Sequence, residues 1–143
     1  MFNYQDAYSR NIGWVTEAEQ KILKNKRVAI AGLGGVGGVH LLTLTRLGVT
    51  KFHLSDFDEF GCENTNRQVG AMTSTYDQKK LDTMVRLAKD INPDLEIKSF
   101  PEGINEDNCD EFLENVDCYV DSLDFFAIDA RKLVFKKCTE KQI

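Results

Sequence analysis

Residues 27 to 38 read RVAIAGLGGVGG, and this stretch decides the fold. Arg27 to Ala31 is a short apolar run with β-branched members, closed by glycine, which is the pattern of a strand buried on both faces of a parallel sheet. Gly32, Gly34 and Gly37 follow at G-x-G-x-x-G spacing, with Gly35 as an additional glycine. Val36 to Leu47 then carries apolar residues at helical intervals until Gly48 stops the pattern. The order strand, tight turn, helix sets unpaired backbone N–H groups and the positive end of a helix dipole at a bend without side chains. A nucleotide phosphate fits there. Gly32, Gly34, Gly35 and Gly37 are therefore the first candidate binding residues. Glycines at such a bend also serve close packing alone, so the surrounding sequence has to decide.

Upstream, Thr16-Glu17-Ala18-Glu19 reads as a capping box and predicts a helix to about Asn25. The residues before it show no clear period but include Tyr4, Tyr8, Arg10, Ile12 and Trp14, a segment suited to packing on this chain or on a neighbouring copy. Downstream, Lys51 to Ser55 (KFHLS) predicts a second strand, closed by Asp56. Phe57 to Asp77 has no convincing period, and a loop of about twenty residues inside a domain points to function. Gln78 to Ile91 is an amphipathic helix stopped by Asn92-Pro93, and Leu95 to Phe100 alternates as a third strand. Asp107 to Leu113 suits a short helix, Val116 to Ser122 a fourth strand and Phe125 to Cys138 a last helix. The expected architecture is α/β and Rossmann-like, a mainly parallel sheet with helices on both faces. Residues 1–26 form an arm and helix, and 27–143 the nucleotide-binding domain. The last helix has no strand after it and Ile143 suits the start of one, so the sequence reads as truncated at its C-terminus.

Composition narrows the function. At 143 residues, with 42% hydrophobic and 29% charged, the chain suits one globular domain. Its formal net charge of -5 gives no general pull toward nucleic acid or an anionic membrane, so a phosphate site has to rely on local cations. No apolar stretch is long enough to span a bilayer, and the start, MFNYQDAYSRNIGW, lacks a secretory core, which predicts a cytoplasmic protein. Cys62, Cys109, Cys118 and Cys138 are scattered without a C-x-x-C pair, so reduced thiols are expected rather than a zinc site or a disulfide framework.

Asp56 falls at the carboxyl end of the second strand, about twenty residues past the glycine turn, where a carboxylate accepts hydrogen bonds from ribose hydroxyls. The same residue also suits turn initiation. In the long loop, Asn64 offers neutral donors and Arg67 a planar fork, and Lys80 adds a mobile charge at the next helix. Each alone reads as surface, but together beside a glycine turn they suit a triphosphate, which needs more donors than a pyrophosphate. Asp121 and Asp124 end the fourth strand, where one of them is placed to hold Mg²⁺ between phosphate oxygens, although Asp124 equally suits a helix cap. His40 and His53 fall within a helix and a strand and read as packing or surface residues.

These residues resemble the ThiF/MoeB/E1-like (ubiquitin-activating-type) adenylyltransferase family. The resemblance runs through Tyr8-Ser9-Arg10, the Gly32-to-Gly37 turn, Asp56-Phe57-Asp58, Asn64-Thr65-Asn66-Arg67-Gln68, Lys80, Asn92-Pro93 and Asp121 to Asp124. It implies ATP in the glycine turn, Asp56 on the ribose, Asn64, Arg67 and Lys80 on the phosphates, and Asp124 on Mg²⁺. Arg10 would be an arginine finger supplied in trans, which implies a homodimer. Two departures stand out: the family's usual Thr or Ser, Asp, Asn around the metal aspartate is here Leu123-Asp124-Phe125, and Gly38 replaces a commoner Ser or Cys.

The expected function is ATP- and Mg²⁺-dependent adenylation of a carboxylate. That group would belong to the C-terminus of a ubiquitin-like or sulfur-carrier protein, to a small acid or to a nucleoside acid. The Asn-Thr-Asn-Arg-Gln run resembles the branch acting on a tRNA nucleoside, whereas the acidic composition speaks against nucleic acid. Two alternatives share the glycine turn: an NAD(P)- or FAD-binding oxidoreductase, and a nucleotide-binding or dimerisation module without turnover.

Overall fold

Alternation along the first two strands builds the core. A computed structural model describes residues 1–143. In β1 (Arg27–Ala31) Val28 and Ile30 enter one apolar cluster while Ala29 and Ala31 enter another, so the strand is covered on both faces. β2 (Lys51–Ser55) sends Phe52 and Leu54 to the first cluster. β3 (Glu96–Phe100) and β4 (Cys118–Asp121) complete a sheet of order β3-β2-β1-β4 in which every pairing is parallel. The mainly parallel sheet expected from the sequence is thus wholly parallel.

Helices close both faces. α2 (Glu17–Asn25), α3 (Gly37–Leu47) and α4 (Lys80–Ile91) lie on the side of the first cluster, where Leu41, Leu81, Met84 and Ala88 pack with Phe52, Leu54 and Phe60. α5 (Cys109–Phe112) and α6 (Ile128–Lys141) cover the other side, where Phe100 meets Phe112 edge to face and Val134 and Cys138 fill the gap. The capping box holds: Thr16 Oγ1 accepts from Glu19 N–H and the Glu19 carboxylate accepts from Thr16 N–H. Gly48, with φ of 103°, ends α3 in the left-handed conformation.

The N-terminal arm has more structure than its sequence pattern suggests. α1 (Tyr4–Ala7) and a 3₁₀ turn at Ser9–Asn11 are too short to show a period. They are fixed by distant bonds, from Tyr4 OH to Gly48 O at 2.7 Å and from Asn92 Nδ2 to Tyr8 OH at 3.2 Å. The long loop is also tied down. Phe60 is buried, its N–H donates to Gln78 O and its carbonyl accepts from Asp77 N–H, while Thr75 Oγ1 donates to Gly70 O at 2.6 Å. No helix is long and apolar enough to cross a membrane.

His53 is the one buried histidine. Its Nδ1–H donates to Phe112 O at 2.7 Å and its Nε2 accepts from the Arg27 guanidinium at 3.0 Å, so the neutral ring satisfies both bonds. Burial lowers its pKa below the ordinary 6.5, and the nearby Arg27 and Lys98 charges act in the same direction. The unfolded chain therefore takes up this proton first, and stability present above pH 6.5 is lost as pH falls through that value. We predict that the urea midpoint drops between pH 7.5 and pH 5.5 and that His53→Gln flattens this slope; an equal slope in the variant would contradict the assignment. Met84→Ala, in the first cluster, should cost about 2–5 kcal/mol in the same assay.

Candidate active site

The carboxyl ends of all four strands open into one cleft of about 290 Å³. After β1 it is lined by Gly32, Gly34 and Gly35; after β2 by Asp56, Phe57 and Asp58; after β3 by Glu102, Gly103 and Ile104; after β4 by Ser122, Leu123 and Asp124. Arg67, Gln68 and Lys80 close its side. The chain order runs outward from β1 through β2 to β3 and then returns to β4 on the other flank, so the cleft opens where the winding reverses. A larger cleft of about 510 Å³ lies between the arm and α2, but its lining, including Tyr4, Tyr8, Ile12 and Lys21, gathers no glycine turn.

Close backbone approach shapes the turn. Gly32 has φ of 87°, and a Cβ there would overlap the Ser122 carbonyl; a Cβ at Gly37 would overlap the Gly32 carbonyl. Gly37 is buried and does not line the cleft, so its place in the motif is packing of helix against turn. Gly34 and Gly35 face the loop instead. A Cβ on either would lie 3.3 Å from Gln68 Nε2 or 3.6 Å from Arg67 Cγ.

Asp56 sets the polarity of the turn. Its Oδ2 accepts from Leu33 N–H at 2.7 Å and its Oδ1 from Asp58 N–H at 2.8 Å. Burial raises its pKa, and the two N–H groups and the Lys80 charge pull it back down. The next N–H groups, of Gly34, Gly35 and Val36, have no partner in the chain. They stand at the N-terminus of α3 as free donors.

The cations come from either end of the long loop. Arg67 is exposed and its Nη1 donates to Asn66 Oδ1 at 3.0 Å. Lys80 is buried to 8% side-chain exposure, and its Nζ pairs with Asp58 Oδ2 at 3.2 Å, as a buried cation requires. Asn64 does not line the cleft: its Oδ1 accepts from Gly61 N–H at 2.9 Å, and its carbonyl accepts from the N–H groups of Arg67 and Gln68. Its observed contacts place it behind Arg67, shaping the loop.

The two aspartates after β4 differ. Asp121 is engaged by Arg131 Nε at 2.6 Å and by Tyr119 OH at 3.3 Å. Asp124 keeps Oδ2 free, its Oδ1 accepting only from Phe126 N–H at 3.0 Å. No group of three or more His, Cys, Asp or Glu side chains is arranged to hold a metal, so a cation here would need ligands beyond the chain's carboxylates. Arg10 does not line the cleft. The arm is bonded to Leu47 and Gly48 at the far end of α3, and a helix of 11 residues spans about 16 Å.

Several cleft residues have no role assigned from the sequence. Phe57, Asp58 and Gln68 stand inside the quoted motifs without one, whereas Ser122 and the Glu102–Ile104 loop reach the cleft through folding rather than motif spacing. Gln68 Oε1 and Ser122 Oγ are the two buried side-chain oxygens without a hydrogen-bond partner, where buried polar atoms are ordinarily paired. Such orphaned acceptor and hydroxyl atoms beside free N–H groups fit a polar ligand. The cysteines are all free; burial pushes the Cys109 thiol up to about 11 and raises that of Cys138.

Comparisons with known proteins agree with this fold. The model of the ThiF family matches residues 8–143. The tRNA threonylcarbamoyladenosine dehydratase of Bacillus subtilis is 32% identical over 137 residues, covering 95% of this chain and 53% of the relative. Ubiquitin-like modifier-activating enzyme 5 of Drosophila persimilis is 35% identical over 134 residues, covering 83% of this chain and 33% of the relative. The crystal structure of the E. coli tRNA N6-threonylcarbamoyladenosine dehydratase in complex with ATP superposes with a TM-score of 0.91 at 21% identity, covering 97% of this chain and 57% of that one. The chain thus spans about half the length of the dehydratases it matches, or less.

The glycines give a direct check on the turn. Gly37→Ala should cost about 1–3 kcal/mol in thermal or urea unfolding, because the Gly32 carbonyl has to move. Gly35→Ala should unfold like the parent, since its Cβ would meet Arg67 at ordinary contact distance. Equal losses would show that the turn is not built on this approach.

Proposed function

The chain belongs to the ThiF family, and from that premise we propose that its cleft binds ATP with Mg²⁺ and activates a carboxylate as its adenylate. One observation carries the reading. Arg67 and Lys80 line the same cleft as the free N–H groups of Gly34 and Gly35, with the Asp124 carboxylate on the opposite, β4 side.

The donor set fits a nucleoside triphosphate. The N–H groups of Gly34, Gly35 and Val36 suit phosphate oxygens, and the bend leaves no Cβ between them and the ligand. Asp56 takes the ribose hydroxyls with the lone pairs that Leu33 and Asp58 leave free. Arg67 and Lys80 neutralise the outer phosphates, Lys80 exchanging Asp58 for a phosphate oxygen. Asn64 supports them through the loop backbone. Asp124 would hold Mg²⁺, which would supply charge neutralisation at the phosphates. A dinucleotide would leave Arg67 and Lys80 without a function, which argues against the oxidoreductase.

In the reaction, a carboxylate oxygen attacks the α-phosphorus of ATP, and the bond from that phosphorus to the bridging oxygen breaks. Acyl-adenylate and pyrophosphate result, and no proton has to move because the carboxylate is already ionised. Arg67 and Lys80 then face the charge that develops on the leaving pyrophosphate, so the site works by positioning and electrostatics. Arg10 stands outside its own cleft and is assigned to that of a second copy in a homodimer. The relatives named above include an enzyme acting on a tRNA nucleoside and an enzyme acting on a ubiquitin-like protein. A net charge of -5 favours a carrier-protein tail or a small acid over a tRNA as the acceptor for this chain.

ATP with Mg²⁺ should raise the melting temperature, and NAD⁺ should not. Pyrophosphate–ATP exchange with a carboxylate donor should fall at least about tenfold in Arg67→Ala, while its melting temperature stays near the parent's, because an exposed loop arginine adds little to the core. Stabilisation by NAD⁺ alone, or undiminished exchange in the variant, would contradict the proposal.

A further inference from the structure

Asp124 sits on a segment with little of its own to hold it. From Ser122 to Ala127 the chain is neither strand nor helix, and Phe125 and Phe126 are 77% and 84% exposed, so of its large apolar side chains Leu123 alone packs on the second cluster. Its backbone bonds are few: Ser122 N–H to Ala31 O, Ala127 N–H to Asp124 O, Ile128 N–H to Phe126 O and Arg131 N–H to Ala127 O. The carbonyls of Leu123, Asp124 and Phe125 instead converge on one side chain. Arg131 Nη2 donates to Leu123 O at 2.8 Å and to Asp124 O at 3.3 Å, and Nη1 donates to Phe125 O at 3.4 Å. Its Nε donates to Asp121 Oδ2 at 2.6 Å, and Asp121 Oδ1 in turn accepts from Leu123 N–H.

We infer that Arg131 is a positioning residue: its guanidinium clamps the Leu123–Phe125 carbonyls and thereby aims the Asp124 carboxylate into the cleft. The inference rests on the nucleotide reading above for its purpose, but the clamp is a property of this chain alone. Arg131 does not line the cleft, and Asp121 balances its charge, so it is not a further phosphate ligand. The planar fork makes these bonds from seven residues downstream of Asp124, so one side chain of α6 spans the whole Leu123–Phe125 stretch. A lysine could keep the Asp121 pair, but a single ammonium cannot span the carbonyls of Leu123 and Phe125 as well.

Amide hydrogen exchange on the full chain tests the clamp without any ligand. In Arg131→Gln the amides of Leu123, Phe126 and Ala127 should exchange at least about tenfold faster, with those of β1 and α3 unchanged. Arg131→Lys should loosen the same amides while keeping the parent's melting temperature, which separates lost geometry from a lost ion pair. Unchanged loop exchange in both variants, or loosening spread over α6 and β4 in both, would overturn the inference. ATP titrations give the second arm: Mg²⁺ should strengthen binding about tenfold less in Arg131→Gln than in the parent, with little difference between them in EDTA. Combining Arg131→Gln with Asp124→Asn should weaken Mg²⁺-ATP binding no further than Asp124→Asn alone, whereas additive losses would overturn the clamp. A parent chain that fails to bind ATP would overturn the nucleotide reading, and amide exchange would still decide the clamp.

Discussion

The 2.7 Å hydrogen bond from Leu33 N–H to Asp56 Oδ2 fixes the rest of the site. It joins the turn after β1 to the end of β2, and as a bond to a half-buried carboxylate it is worth about 1.5–3 kcal/mol. With Leu33 held there, the N–H groups that follow are left unpaired at the start of α3. The close approach of Gly32 to the Ser122 carbonyl fixes the other flank, because the turn then abuts the segment that carries Asp124. Three strand ends are locked together, and the cleft lies above them.

Charge follows the same plan on an acidic chain. Four carboxylates line the cleft, those of Asp56, Asp58, Glu102 and Asp124, against the cations of Arg67 and Lys80. Under the proposed function an anionic ligand is accommodated because Asp56 is bound to N–H groups and Asp58 is paired with Lys80, and the free Asp124 oxygen is the place for a cation. Local pairing and not overall charge therefore governs what enters.

Much of this was legible in the sequence because it is local. β1 and β2 have the bounds that their apolar runs suggest, the glycine spacing is read directly, and Thr16 with Glu19 forms its box. Arg67, Lys80 and Asp124 were picked by charge and position, and they share one cleft with Gly34. What stayed hidden is non-local. Ser122 shows its place only through an unpaired buried oxygen, Gln68 stands in the loop motif but its unpaired Oε1 is visible only in the fold, and the Glu102–Ile104 wall depends on the register of β3 against β2. α6 begins three residues later than the pattern suggests because Ala127 N–H bonds to Asp124 O and Ile128 N–H to Phe126 O in two short turns, which periodicity cannot reveal. Asn64 shows the reverse case: a residue picked from its motif whose side-chain oxygen is occupied within its own loop.

The central claim is that a triphosphate lies between the glycine turn and the Arg67–Lys80 side, with a divalent ion at Asp124. A crystal structure with Mg²⁺ and a non-hydrolysable ATP analogue tests it most directly. The account predicts phosphate oxygens within hydrogen-bonding distance of Gly34 and Gly35 N–H and of Arg67, ribose at Asp56, and the ion on Asp124 Oδ2. Nucleotide bound in the cleft beneath the arm, or phosphates turned away from Arg67 and Lys80, would contradict it.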